Sequence, residues 1–463
     1  LMRYVGSSDG FQLISSNADN LHHTSNVLFN IMRGGIFVQN YEINKGDFID
    51  FLKIRNKNIY HSMKEDLIKI DENSNLSDLI HFGENKGSSS LQRLCYEYLP
   101  LTFGRRHGDP SRPWNQFNIK VNDGDSVLYY HEGNWRDIFQ NWEGLSISYP
   151  KSLESIICKF LNACTTDGYN PYRINKEGID WEVVDEEDTW SHIGYWNDHQ
   201  IIYLLKLLEY QWEIKSDFIL RYFNSKIFSS ANVPYKIKSS SEILNNPKNT
   251  IEFDHDLHQI IINKIEDIGT DARLVIDGDK VVHVTMAEKL LILQLSKLSN
   301  FIPDGGIWLN AQRPEWNDAN NALVGYGVSM VTLYYLNRHI LFLNKVLSNV
   351  NNVEVEISSE VVLWFKTIRG IFENYSYHLG SKTEPKLRKN FVVELQEAFS
   401  KYRSKTYNKI SKTSEKLKVV DLLDFNNLVL QHFESSIKNN LNNSLYSAYN
   451  TINIDKTNEI NVS

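Results

Sequence analysis

The chain has 463 residues, 41% of them hydrophobic and 23% charged, with a formal net charge of −8. These proportions suit a globular protein and exclude a disordered chain, a collagen and a disulfide scaffold; the acidic balance also speaks against a nucleic-acid partner, whose phosphates call for a basic surplus. Cys95, Cys158 and Cys164 cannot all pair and lack the close paired spacings of zinc ligands, so neither structural disulfides nor a metal site is expected.

Residues 1–90 are rich in Asn and Ser, with apolar stretches at Val27-Leu28-Phe29 and Phe48-Ile49-Asp50-Phe51-Leu52, and read as a lead-in region. Apolar runs stay below the roughly 18 residues a bilayer needs, and no basic and apolar leader opens the chain, so no membrane partner and a cytoplasmic location are expected. The opening Leu1-Met2 points to a piece of something longer. A loop at Gly104–Trp114, dense in Gly, Pro and Arg, reads as solvated surface or an anion contact.

The stretch 91–380 is read as the catalytic domain. Apolar residues recur at three- and four-residue spacing over 134–147, 151–163 and 196–212, with Pro150 fitted to a first helical turn. An insertion-like stretch at 213–282 contains a hairpin, 274–282, turning at Asp277-Gly278. Thr285 and Glu288 make a capping-box signature, and further helices are predicted over 326–347 and 359–379. Residues 381–463 form a C-terminal helical region. Its Lys386, Arg388, Lys389, Lys401, Arg403, Lys405, Lys409, Lys412, Lys416 and Lys418 are expected on water-facing sides. Long helices with little strand signal suggest helical hairpins packed side by side, a mainly α fold of the (α/α)6-toroid type with a β-hairpin insertion. Eight or nine long helices fall short of the twelve that a closed toroid needs, so the expected barrel is incomplete.

All ten Trp residues lie between Trp114 and Trp364. Their faces can fill a large core or stack on sugar rings while nearby polar groups bond hydroxyls. Three clusters join Trp to Asp: Asn134-Trp135-Arg136-Asp137 with Gln140, Trp196-Asn197-Asp198-His199, and Arg313-Pro314-Glu315-Trp316-Asn317-Asp318. Arg136 and Asp137 offer a planar donor and a two-oxygen acceptor to adjacent hydroxyls, or a simple ion pair. Asp198 suits a sugar contact or a helix cap. Asp318, beside Trp316, is the candidate general acid, because an aromatic wall raises a carboxyl pKa and lets it keep a proton for a leaving oxygen; Glu315 is the rival carboxyl. The chain lacks a Ser/His/Asp triad context, a phosphate-binding Gly-rich loop and a His-Glu-x-x-His site.

In the same order, Arg136-Asp137-x-x-Gln140, Asn197-Asp198-His199 and Trp316-Asn317-Asp318 resemble motifs of the glycoside hydrolase family 94 phosphorylases, the cellobiose and chitobiose phosphorylase group. The resemblance implies an (α/α)6 toroid and inverting phosphorolysis of a β-linked sugar, with Asp318 as the acid. It also implies that Arg136, Asp137, Asp198 and Trp316 shape the sugar pocket. Gln140, His199, Trp308, Glu315 and Asn317 complete the expected substrate-binding set. Asn141, Asn197, Pro314-Glu315, Ala319 and Val328 depart from the family pattern, and its phosphate-binding residues find no counterpart in 350–463. The expected partner is an oligosaccharide, with inorganic phosphate as co-substrate and no other cofactor. The alternatives are an inverting hydrolase, with Glu315, Glu143 or Glu182 as base, and a non-catalytic sugar-binding scaffold.

Overall fold

The computed structural model describes residues 24–25, 36–37, 39, 41–72, 74–102, 122–123, 126–127, 129–171, 173–183, 200–310, 322–351, 353–407, 413–454 and 459–463; at 36, 102, 122–123, 126–127, 134–137 and 140 it describes backbone only. Four helices, Lys45–Arg55, Lys57–Leu67, Leu76–Asn85 and Ser89–Glu97, follow one another near the start, where the sequence shows only scattered apolar stretches. Side-chain caps explain them. Asn44, Asn56 and Ser88 each accept from a backbone N–H of the first turn, and Asn75 forms a reciprocal capping box with Asp78; each such cap is worth about 1 kcal/mol. Phe48, Phe51, Leu52, Leu79, Leu91, Leu94 and Tyr98 then bury one another in an apolar cluster of their own.

Most of the other described elements pack around a second, larger cluster that runs from Phe37 to Ile460. The helices Trp135–Ser148 and Leu153–Ala163 agree with the predicted periodicity, and Pro150 opens the single 3-10 turn between them. Ile276–Asp277 pairs with Lys280–Val281 across Gly278, whose φ of 64° suits glycine in the predicted turn. Thr285 caps Met286–Leu298 by accepting from the Glu288 N–H, while the Glu288 carboxylate turns away to accept from Ser358 N and Oγ at 2.8 and 2.6 Å. Half of the expected box therefore forms, and the other half ties two elements together.

A six-hairpin toroid is not what the described residues form. Helices dominate, but antiparallel sheets join distant parts of the chain. One sheet orders Phe301–Ile302, Gly306–Trp308, Gly327–Ser329, Tyr449–Ile454 and Ile460–Val462 side by side, and Glu354–Ser358 pairs with Ser414–Lys418. Most of these strands have two or three residues, too short to leave a period-two pattern, which is why the sequence reads as helix and loop. The helix Met330–Leu347 packs on Val419–Asn439, and Ser359–Asn374 on Pro385–Thr406. Two of the C-terminal cations also depart from expectation. Arg388 is buried against Asp304 at 3.1 Å, and Arg403 is buried with its Nη2 donating to Lys238 O at 2.9 Å; Lys386, Lys401, Lys405, Lys416 and Lys418 face solvent as predicted. Lys409 and Lys412 lie outside the described residues.

Candidate functional site

Of the expected site, Asp198, His199, Glu315, Trp316, Asn317 and Asp318 lie outside the described residues, and so does the Gly104–Trp114 loop; Arg136, Asp137 and Gln140 are described in backbone only, on Trp135–Ser148. The segments flanking the three clusters are described, and they converge. Cluster one opens its helix directly after Glu132–Asn134, a strand paired with Arg173–Asn175. Next along the helix from Asp137, Ile138 and Phe139 are core, and Phe139 stacks on Phe160 with ring centroids 3.6 Å apart and on Tyr203 at 6.4 Å.

Tyr203 belongs to the flank of cluster two. There Gln200–Leu204 makes a π turn before the helix Leu205–Lys215; such widened turns recur at functional sites because they re-aim side chains without ending the helix. This turn packs against both Trp135–Ser148 and Met330–Leu347. Along the chain cluster three falls between Gly306–Trp308 and Gly327–Ser329, two paired strands, and Ser329 then caps Met330–Leu347 by accepting from Thr332 N at 3.0 Å. The Gln200–Leu204 turn thus touches both the helix that carries cluster one and the helix that follows cluster three.

Trp308 itself is a core residue. It is buried, and its indole N–H donates to Gly325 O at 3.0 Å, so it fastens Gly306–Trp308 to the turn before Gly327–Ser329 with its ring inside the protein.

Glu143 and Glu182, the two described candidates for a hydrolytic base, are both engaged. Glu143 sits 3.4 Å from Lys206, and Glu182 sits 3.4 Å from Arg173. Glu143 lines an open cleft of about 640 Å³ between Trp135–Ser148, Leu205–Lys215 and Met330–Leu347. Its other carboxylates are also paired: Arg338 grips Glu209 through two bonds of 2.7 and 2.6 Å, and Lys345 reaches Glu213 at 3.1 Å while lying over Trp212. With its carboxylates paired to cations in this way, the cleft reads as a charge-laced surface.

A second cleft, of about 350 Å³, opens between the N-terminal helices and the body and holds a carboxyl pair that the sequence did not reveal. Burial pushes the Glu154 carboxyl up, with Glu84 adding in the same direction. At Glu84 burial also acts upward, but hydrogen bonds from Tyr222, His81 and Tyr96 and the charge of Arg221 leave it below its ordinary value. Two carboxyls driven apart in one cleft can act as donor and acceptor of a proton. Their separation in sequence, with Tyr96 on Ser89–Glu97 and the adjacent Arg221 and Tyr222 on Asp217–Tyr222, left nothing for a spacing rule to find.

Residues 37–100, which take in all four N-terminal helices, match glycoside hydrolase family 149 insertion domain 1. No curated protein matches the chain. The match supports a carbohydrate-active enzyme of a glycoside-hydrolase-like family. It does not single out the cellobiose and chitobiose phosphorylase group. Among the described residues, no group of His, Cys, Asp and Glu is disposed to hold a metal ion, and no helix is long and apolar enough to cross a membrane.

Proposed function

We propose that the chain cleaves or forms a β-linked glycosidic bond with inversion, by phosphorolysis of a di- or oligosaccharide, and that inorganic phosphate is its co-substrate. The observation that carries this reading is the convergence of the segments flanking the three clusters. The Gln200–Leu204 turn touches both the helix that bears Arg136 and Asp137 and the helix that follows the Asp318 loop, as three parts of one pocket require. The match of residues 37–100 to a glycoside hydrolase insertion domain supports the substrate class independently.

In this reading Asp318 gives its proton to the glycosidic oxygen while phosphate attacks the anomeric carbon from the opposite face; the bond to the leaving sugar breaks and an α-linked sugar 1-phosphate forms. Arg136, Asp137, Gln140, Asp198 and His199 hold hydroxyls, and Glu315, Trp316 and Asn317 shape the rim, so that the reacting atoms meet already oriented. Trp308 supports that loop from within the core.

The test is a panel of β-linked disaccharides incubated with the protein, with and without phosphate. Sugar 1-phosphate formed only when phosphate is present is the expected result. Free sugar released at the same rate without phosphate identifies water as the nucleophile and rejects phosphorolysis, and binding without turnover on every substrate rejects the enzyme.

A further inference from the structure

Where the four N-terminal helices meet the body, charged side chains are buried together. Arg55 ends its helix, and Arg93 and Glu97 stand one turn apart on theirs. Arg55 Nη2 donates to Glu97 Oε2 at 2.7 Å and to Asp271 Oδ1 at 3.0 Å. Arg93 Nη1 donates to Glu97 Oε1 at 3.0 Å, and its Nη2 to Asp271. Asn56 Nδ2 donates to Asp271 Oδ2 at 2.9 Å, and Asn162 Nδ2 to Glu97 Oε1 at 2.8 Å. Two guanidinium groups are thereby balanced by two carboxylates whose four oxygens are all engaged.

A third cation stands beside them. Lys159, on Leu153–Ala163, is buried, and its Nζ has no hydrogen-bond partner; Arg55 Nη1 has none either. Both residues line a small cavity of about 10 Å³, closed further by Asn162, Thr270 and Gly178. The neighbouring histidines do not change the charge balance, since burial drives His131 well below its ordinary value and His283 down to about 4, leaving both neutral. The cavity is therefore lined by two residues with unused donors, and with Lys159 protonated one positive charge is in excess. Its size admits one water molecule or, with a few tenths of an ångström of adjustment, one halide ion, and shuts out phosphate, sulfate and carboxylates.

We propose that this cavity is a binding site for one small monovalent anion of halide size, held between Arg55 Nη1 and Lys159 Nζ, where it completes the charge balance of the joint between the N-terminal helices and the body. A buried ammonium without a counter-charge is costly, and the alternative to an anion is loss of its proton. Burial and the Arg55 charge push Lys159 down to about 7, and a bound anion would favour the ammonium that burial disfavours.

Two measurements on the full chain decide between an anion and water. Crystals grown in sodium bromide should show an anomalous bromine peak between Arg55 and Lys159; absence of that peak overturns the site whatever else is found. Thermal melts in sodium chloride and in sodium gluconate at equal ionic strength should diverge, with the midpoint rising about 2 °C per tenfold increase in chloride once the site fills. Lys159→Met should keep its helical circular dichroism and lose the chloride response. Identical melts in the two salts would assign the space to water and an uncharged lysine. If the variant does not fold, the presence or absence of the bromine peak in the wild-type crystals decides the matter alone.

Discussion

The N-terminal helices and the body are stabilised on different length scales. The first unit draws its apolar cluster from Ile43 to Tyr98 and caps each helix from the adjacent residue. The body draws its core from Phe37 to Ile460, and its sheet places strand Gly327–Ser329 against Tyr449–Ile454. One is written in neighbouring residues, the other in residues more than a hundred positions apart. The family match falls on the locally written part. The joint between them is polar and tight: Gly269, at φ 94°, lies so close to the end of the first helix that a Cβ there would stand 2.5 Å from Ile54 O.

Breaking the joint should cost most. Asp271→Ala leaves Arg55 and Arg93 buried with half of their counter-charge, and a loss of about 4 kcal/mol in stability is expected by urea unfolding; a change below about 1 kcal/mol would show that the two regions do not depend on this contact. Next, Leu94→Ala opens the N-terminal cluster at a cost of about 3 kcal/mol. Amide exchange should then speed up over 45–97 while the sheet at 301–329 keeps its protection. Uniform loss of protection in both regions would mean a single cooperative unit.

Acid should act on both regions. Burial opposes it, but Arg55 and Arg93 bring Glu97 down to about 2 from its ordinary 4.5, so its stabilisation is full above pH 4.5 and is lost as pH falls through 2, on the order of 3 kcal/mol. In the body, burial lowers His339 and His432 to about 4; the unfolded chain takes up protons below 6.5 that the folded chain refuses, so stability falls from pH 6.5 toward 4. Urea midpoints should therefore decline steadily below pH 6.5, and a flat profile between pH 7 and 4 contradicts the neutral burial of these rings. The smallest effect expected is at Asn75→Ala, which removes a capping box and should cost about 1 kcal/mol, read from the same urea curves.

Much of the helical framework was legible. The apolar periodicity of 134–147 and 151–163, the Pro150 turn and the Asp277-Gly278 hairpin all follow from local rules, and local rules held. The toroid expectation failed because two- and three-residue strands carry no alternation and their partners lie far along the chain, as Gly327 and Thr451 do. Arg388 and Arg403 read as solvent-facing because the sequence gives no sign of Asp304 or the Lys238 carbonyl beside them. The Arg93 and Glu97 spacing was a visible hint of the buried ion cluster, but Asp271 and Lys159 could be added only by the fold. At the candidate site the order of the three motifs was legible, and the packing of their flanks around Gln200–Leu204 was not.

Asp318 is proposed as the proton donor in phosphate-dependent cleavage. The most direct measurement is the rate of sugar 1-phosphate release by the wild-type protein, Asp318→Asn and Glu154→Gln on the best substrate. A loss of at least about 100-fold is expected for Asp318→Asn with sugar binding retained, and near wild-type turnover for Glu154→Gln. Full activity of Asp318→Asn, or a collapse confined to Glu154→Gln, would contradict it and move the acid to the cleft between the N-terminal helices and the body.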